Sequence, residues 1–373
     1  MRFGVDAREI QNGVYTGIGH PLHNFLKFFA QNNKGDTCVL FSAVPVPYHY
    51  GPAVTNVVMA ENLTLYWDQV ILPRCIKGEK VDLFYSPYYK VPLAASCKVV
   101  SAIFDIMYLK FDVYRKELGL KEIYFRTVGK SYVRRADKIL TCSEYSKKEI
   151  IDYYGVDPRK ISVIPLSVSE SYRPCENLDE LNSYKRTFHI DSPYVLYMGN
   201  FKPHKNVLGL VRAFALIAGD FPELKLVLAG PLEHTYPQIV AFVETHNLTN
   251  RVIFTGKITP KDKPQLLYSG ASVFAFPSLY EGFGLPPAEA MACGVAVVAS
   301  NTTSIPEVVK TAGILVDPQN TDEMALSLRR LLTDDHLRNQ LMAKGLQSVR
   351  DYSESVINQK LYQFFEGVLK GHG

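Results

Sequence analysis

Residues Phe274 to Val298 read F-A-F-P-S-L-Y-E-G-F-G-L-P-P-A-E-A-M-A-C-G-V-A-V-V, and the reading of this stretch decides the fold. The apolar run ending at Pro277-Ser278 predicts a buried strand. A glycine-rich turn follows, and Pro286-Pro287 then open a short helix that Gly294 closes. Two carboxylates flank the turn. Glu281 is expected just past the strand's carboxyl end and Glu289 in the first helical turn, so both can face one crevice beside unpaired backbone N–H groups. Pyrophosphate suits amides at a helix start, and sugar hydroxyls can each donate to a carboxylate at roughly 1.5–3 kcal/mol per charge-assisted bond. Each residue also has a purely structural reading. The helix macrodipole alone favours a glutamate near a helix start, and a sharp strand-to-helix turn needs glycines such as Gly282 and Gly284 whether or not a ligand approaches.

Working outward, the same strand–turn–helix pattern recurs along the chain. Strands are predicted at Arg2 to Val5, Thr37 to Phe41, Val54 to Met59, Val81 to Tyr85, Val99 to Phe104, Ile139 to Cys142 and Ile161 to Ile164. A second series runs over Tyr194 to Met198, Lys225 to Ala229, Val252 to Thr255, Val273 to Phe276, Ala296 to Ala299 and Ile314 to Val316. Alternation with helical patterns argues parallel, doubly wound sheets. The polar, proline-interrupted residues from Ser167 to Ser192 read as a linker with a lead-in helix. The expected division is therefore 1–168, a linker at 169–192, a second α/β domain at 193–352, and a terminal helix from 353 to 373 that crosses back to the first domain. Ser146 and Glu149 have capping-box spacing and are expected to open a helix toward Tyr154.

At 373 residues, 47% hydrophobic and 21% charged, the chain is globular and long enough for two cores. A net charge of +4 is too small and too scattered to argue a nucleic-acid partner. The six cysteines, Cys38, Cys75, Cys97, Cys142, Cys175 and Cys293, lack C-x-x-C spacing and read as buried thiols of a reducing compartment. With no signal-peptide pattern and no membrane-length apolar run, a cytoplasmic protein is expected. The basic and aromatic residues between Lys110 and Lys138 leave two readings open, a solvated helix face or peripheral contact with an anionic membrane surface.

The turn Gly199-Asn-Phe-Lys-Pro-His-Lys-Asn206 leaves the first strand of the second series. A lysine there is placed to neutralise a diphosphate whose charge grows as an anomeric bond breaks, and Lys205 is the first choice. His204 reads as a turn residue. Asp105, at the end of V-V-S-A-I-F-D, is either a site residue or a loop cap. No D-x-D ends an apolar strand, and no His, Cys and carboxylate spacing forms a metal cage. Transfer without a metal or other cofactor is expected.

The segment E-G-F-G-L-P-P-A-E resembles the E-x7-E signature of retaining GT-B glycosyltransferases of family 4. Similar blocks occur at Asp6-Ala7-Arg8, at Gly17-Ile18-Gly19 and at Gly199 to Asn206, so the likeness covers nearly the whole chain. It implies two Rossmann-like domains facing each other across a cleft, with a nucleotide-sugar donor on the second and a glycan or lipid-linked acceptor on the first. It further implies Glu289 on the ribose hydroxyls, Lys205 on the diphosphate, and Glu281 with the Phe283 and Gly284 amides, followed by Leu285, around the transferred sugar. Gly17 and Gly19 match the loop that faces the donor, and Lys257 and Ile258 match the segment that holds the nucleobase, chiefly through backbone. Ser304, Pro306 and Glu307 match a loop behind that site. Relatives often carry an arginine where this chain has Asn200, which donates a hydrogen bond but no charge, so Lys205 acts more alone or with Lys202. They also commonly carry a histidine where this chain has Phe104. Relatives with the first two blocks often use GDP-mannose. A nucleotide-sugar epimerase and a non-catalytic sugar-nucleotide binding protein are the competing readings.

Overall fold

The structure is a computed structural model describing residues 1–12, 19–110 and 120–371, and the side chains of these apart from residues 120–126. Gly17, Arg115 and Lys116, and the side chains of Lys121, Tyr124, Phe125 and Arg126, therefore lie outside the described residues. Two units emerge. One is Met1–Ser167 joined by the stretch from Glu354 onward, the other Val168–Ser353. The chain passes between them at neighbouring points, where Val168 and Ser353 form an isolated parallel bridge and the Val168 N–H donates to the Tyr352 carbonyl at 2.8 Å.

The first unit holds a seven-stranded sheet in the order β3-β2-β1-β4-β5-β6-β7. The strands are β1 (Arg2–Asp6), β2 (Thr37–Ser42), β3 (Val54–Val58), β4 (Leu83–Ser86), β5 (Lys98–Ala102), β6 (Lys138–Thr141) and β7 (Ile161–Val163). Every pairing is parallel. Helices cover both faces, so central strands such as β4 are buried at every residue and read as continuous apolar runs. Edge strand β3 is largely solvated. On one face the helices Gly19–Asn32 and Glu354–Lys370 pack together. The Phe365 ring stands 4.7 Å from Phe3, 5.4 Å from Phe25 and 5.2 Å from Tyr85. Polar contacts finish the joint, with Asn24 donating to Glu354 at 2.6 Å and Tyr362 to Asp36 at 2.5 Å.

The other face is organised around Trp67, which is fully buried and donates its indole N–H to the Met59 carbonyl at 3.0 Å. Trp67–Ile71 is a π-helical turn. The Arg8 guanidinium lies 4.0 Å from the Trp67 ring centroid and pairs with both Asp6 and Asp68 at 2.6 Å. Two buried carboxylates thus share one cation that also stacks on an aromatic face, a geometry that suits arginine and not lysine. The Asp6-Ala7-Arg8 block ties the carboxyl end of β1 to this turn.

The second unit holds six strands, β8 (Tyr194–Met198), β9 (Lys225–Ala229), β10 (Val252–Gly256), β11 (Val273–Phe276), β12 (Val297–Ser300) and β13 (Gly313–Val316). Their order is β10-β9-β8-β11-β12-β13, again parallel throughout. From β8 the chain winds outward through β9 to β10, then returns to place β11 on the other side of β8. The connections leaving β8 and β11 therefore diverge, and a crevice opens at the carboxyl ends of these two strands. Residues 169–192 pack within this unit and carry the helix Leu178–Arg186.

Three local expectations are corrected. Ser146 does not cap a helix: the helix is Glu144–Tyr154, and Ser143, one turn earlier, accepts the Ser146 N–H at 3.0 Å. Buried Glu149 instead receives the Tyr145 hydroxyl at 3.0 Å and pairs with Lys110 at 2.5 Å. Strand β5 ends at Ala102, so Asp105 does not close it. Its Oδ1 accepts the Met107 N–H at 3.1 Å and starts the helical turn Met107–Lys110. Glu289 lies in the second turn of its helix, Leu285–Ala292, and not the first. Gly284 takes the cap position before the two prolines, which moves the helix start earlier in the register.

Candidate active site

The β8 and β11 connections meet through backbone. A single 3₁₀ turn, Pro203–Lys205, follows β8 and ends at Asn206, a left-handed residue with φ 52° whose side chain donates to the Pro318 carbonyl at 2.6 Å. The His204 carbonyl accepts the Leu279 N–H at 2.7 Å and the Ser278 hydroxyl at 3.2 Å. These bonds fix Lys205 opposite Glu281, with Nζ 2.5 Å from Oε1 and the ammonium 5.5 Å from the Phe276 ring centroid. Both side chains are largely covered, at 13% and 14% exposure. The lysine and first glutamate singled out in the sequence are thus a direct ion pair. His204 is buried beside them, and burial, with the Lys205 charge added, pushes its pKa down to about 3. It stays neutral and performs no acid–base role in the physiological range.

On the other side of Glu281, hydroxyls from the β12 connection hold the turn. Ser300 reaches the Ser278 carbonyl at 2.5 Å, and Thr303 Oγ1 accepts the Glu281 N–H at 3.1 Å. Buried Ser304 shares its proton between the Glu281 and Phe283 carbonyls at 2.9 and 2.8 Å. Phe283 itself is buried edge-on against Tyr352, ring centroids 5.6 Å apart. The carbonyls are thereby turned inward. No hydrogen bond within the protein is recorded for the N–H groups of Phe283, Gly284 and Leu285 among the described residues. Three successive free amides at a helix start form a cradle for an anion or a sugar oxygen. Gly284 is required here: its φ is +108°, and an added Cβ would lie 2.6 Å from Ile305 Cδ1. Replacing Ser304 by alanine is expected to cost about 1–2 kcal/mol, since two carbonyls lose their donor. Urea unfolding checks this, and an unchanged midpoint would remove the role given to Ser304.

Glu289 is one turn further along the same helix. Its Oε2 accepts the Tyr268 hydroxyl at 2.9 Å, and Tyr172 packs edge-on against the Tyr268 ring. Burial pushes the Glu289 pKa up to about 7, against the pull of the neighbouring tyrosine hydroxyls. A carboxyl raised in the folded state contributes stability that is complete below its unfolded pKa, near 4.5, and that is lost as pH rises through 7.

The remaining candidates are dispersed. Asn200 opens the Lys205 turn, its carbonyl accepting the Tyr197 hydroxyl at 2.7 Å. Lys257 and Ile258 follow β10, two strands away from β8, and no bond within the protein is recorded for their amides. Gly19 is the buried first residue of its helix in the first unit. In that unit Asp105 and Phe104 line a cavity of about 340 Å³ with Tyr88, Tyr89, Tyr108 and Tyr154. Sequence reasoning missed Tyr172, Tyr268, Ser278, Ser300 and Thr303. Nothing in an apolar helix such as Pro264–Ser269 signals that its tyrosine hydroxyl meets a carboxylate 21 positions on. Among the described residues no cluster of His, Cys, Asp and Glu could hold a metal ion, and no helix is long and apolar enough to cross a membrane.

The chain is similar to known proteins. Residues 180–347 match the family described as Glycosyl transferases group 1, and residues 26–172 match Glycosyltransferase Family 4. The chain is 36% identical over 282 residues to the O-antigen chain mannosyltransferase B of Escherichia coli, covering 74% of this chain and 72% of that one. It is 28% identical to the serotype-specific mannosyltransferase WbdA of Escherichia coli over 72% of its own length, and spans 34% of that longer protein. Among solved structures, sucrose-phosphate synthase from Thermosynechococcus elongatus superimposes with a TM-score of 0.77 at 20% identity over 99% of both chains. Anabaena HepE, solved with UDP and glucose, gives 0.75 at 18% identity over 98% of this chain and 99% of that one. Two Rossmann-like sheets with these neighbours define the GT-B fold. The chain belongs to the glycosyl transferases of group 1, with family 4 features in its first half.

Proposed function

We propose that this glycosyltransferase moves a mannosyl residue, with retention of anomeric configuration, from a nucleoside diphosphate sugar onto a glycan or lipid-linked acceptor in surface polysaccharide synthesis. The observation that carries the reading is the Lys205–Glu281 pair beside three free amides at one helix start. Lysine and amides together supply positive potential where a diphosphate leaves. Glu281 accepts hydroxyls of the transferred sugar, and Glu289 accepts those of the ribose. GDP-mannose is the proposed donor, supported by the names of the O-antigen mannosyltransferases to which the chain is similar. The first unit supplies the acceptor site, and transfer needs no metal. Contact of its basic residues with an anionic membrane surface, in a cytoplasmic protein, belongs to the same proposal.

The test is transfer from a panel of nucleoside diphosphate sugars to mannose-terminated oligosaccharides, with product configuration read by NMR. Glu289→Ala is expected to raise the donor Kd roughly tenfold or more, while Glu281→Ala lowers kcat about a hundredfold with a smaller change in Kd. EDTA leaves turnover unchanged. Donor binding that is normal in both variants would break the assignment, and mannose release of inverted configuration would remove retention.

A further inference from the structure

Glu289 is held in a way that the sequence pattern does not record. Tyr268 is fully buried, and its ring stands 5.2 Å from Phe274 of β11, so its hydroxyl cannot swing away from the carboxylate it meets at 2.9 Å. Tyr172 lies four residues past the point where the chain enters the second unit. Its ring meets Tyr268 edge-on at 5.8 Å. The other titratable group facing this cluster is buried Cys293, which follows the Glu289 helix. No basic side chain is among the groups acting on Glu289.

An ionised carboxylate offers about four acceptor positions, and the Tyr268 hydroxyl uses one. We propose that Tyr268, with Tyr172 packed against its ring, is a positioning residue for donor recognition: it fixes the Glu289 carboxylate and leaves acceptor positions for the vicinal hydroxyls of a ribose. The inference rests on Glu289 being the ribose-binding carboxylate. Hydroxyls from the donor favour the ionised form, so binding releases a proton wherever Glu289 is protonated in the free protein. Donor affinity then rises with pH and levels off above about pH 7, following the value to which burial raises this group. Removing the Tyr268 hydroxyl removes a bond that favours ionisation, and the midpoint moves further up.

The experiment is calorimetric titration of GDP-mannose and of UDP-glucose, which share the ribose diol, between pH 5.5 and 9. Tyr268→Phe is expected to shift the affinity midpoint up by about one pH unit, with binding about tenfold weaker near pH 6 and unchanged near pH 9. Tyr172→Phe, at a less enclosed position, shifts it the same way by less. Glu289→Gln gives weak binding with no pH dependence in this range. If Glu289→Gln binds like the parent, the ribose assignment and the inference both fall. If it binds weakly while the two phenylalanine variants keep the parent midpoint, the inference alone falls. Equal weakening of those variants at every pH means that the tyrosines only pack, and overturns it too.

Discussion

Lys205→Ala is expected to lower kcat/KM for the donor by about two to three orders of magnitude. The lysine is the one cation in direct contact with Glu281 among the described residues, and it stands on the turn beside the free amides of residues 283–285. As the anomeric bond breaks, charge accumulates on the departing diphosphate, and a mostly covered ammonium acts there with little screening. Its removal has a second effect. Glu281 then keeps its enclosed position without a counter-charge beside it. Lys205→Arg restores the charge but not the compact ammonium, and falls between the two. Steady-state kinetics with melting temperatures as a folding control decide the matter. A loss smaller than threefold would dismiss Lys205 from the reaction.

Gly230→Ala is expected to destabilise the second unit by on the order of 3 kcal/mol or more. The cause is backbone against backbone: a Cβ on Gly230 would lie 1.8 Å from the Gly199 carbonyl oxygen and 2.8 Å from its carbon. No side chain can move aside to relieve that overlap. Gly199 and Gly230 end neighbouring strands β8 and β9, and the bonds from Gly199 N–H to Ala229 O and from Gly230 N–H to Gly256 O, both 2.9 Å, draw three strand ends into one flat edge. Forcing them apart displaces the Asn200–Lys205 turn, so a variant that still folds should also bind donor poorly. Denaturant midpoints compared with a Gly219→Ala control, where an added Cβ meets nothing within 4 Å, separate this steric effect from the loss of glycine flexibility. Equal midpoints for the two would refute the steric explanation.

Much of the sheet architecture could be read from the chain because both sheets are parallel and covered on two faces. Such strands appear as short unbroken apolar runs, and β8 (Tyr194–Met198), β9 (Lys225–Ala229) and β11 (Val273–Phe276) match their expected limits. The strand ends near β5 were less legible. Ile103 is buried and Phe104 partly so, and they extend the apolar run beyond Ala102, the last residue of β5, which made Asp105 look like a strand terminus. At the site, Lys205 and Glu281 could each be singled out on neighbouring turns, but their direct pairing could not be read from the chain. The hydroxyls of Ser278, Ser300 and Thr303 that shape the Glu281 turn left no pattern, and Ser304 was legible only as part of a loop behind the site. Each acts on a main-chain group, and such groups are the same in every residue. Glu289 was assigned to the first turn and lies at the start of the second, because the helix begins at Leu285, one residue before the double proline.

The helix Glu354–Lys370 has a bearing on biogenesis. Phe365 closes the aromatic cluster of Phe3, Phe25 and Tyr85, yet it leaves the ribosome only after all of Val168–Ser353 has been made. The nascent first lobe must therefore wait with an oily, unsealed flank while its neighbour is synthesised. How long that flank stays uncovered is set by the length of the intervening lobe.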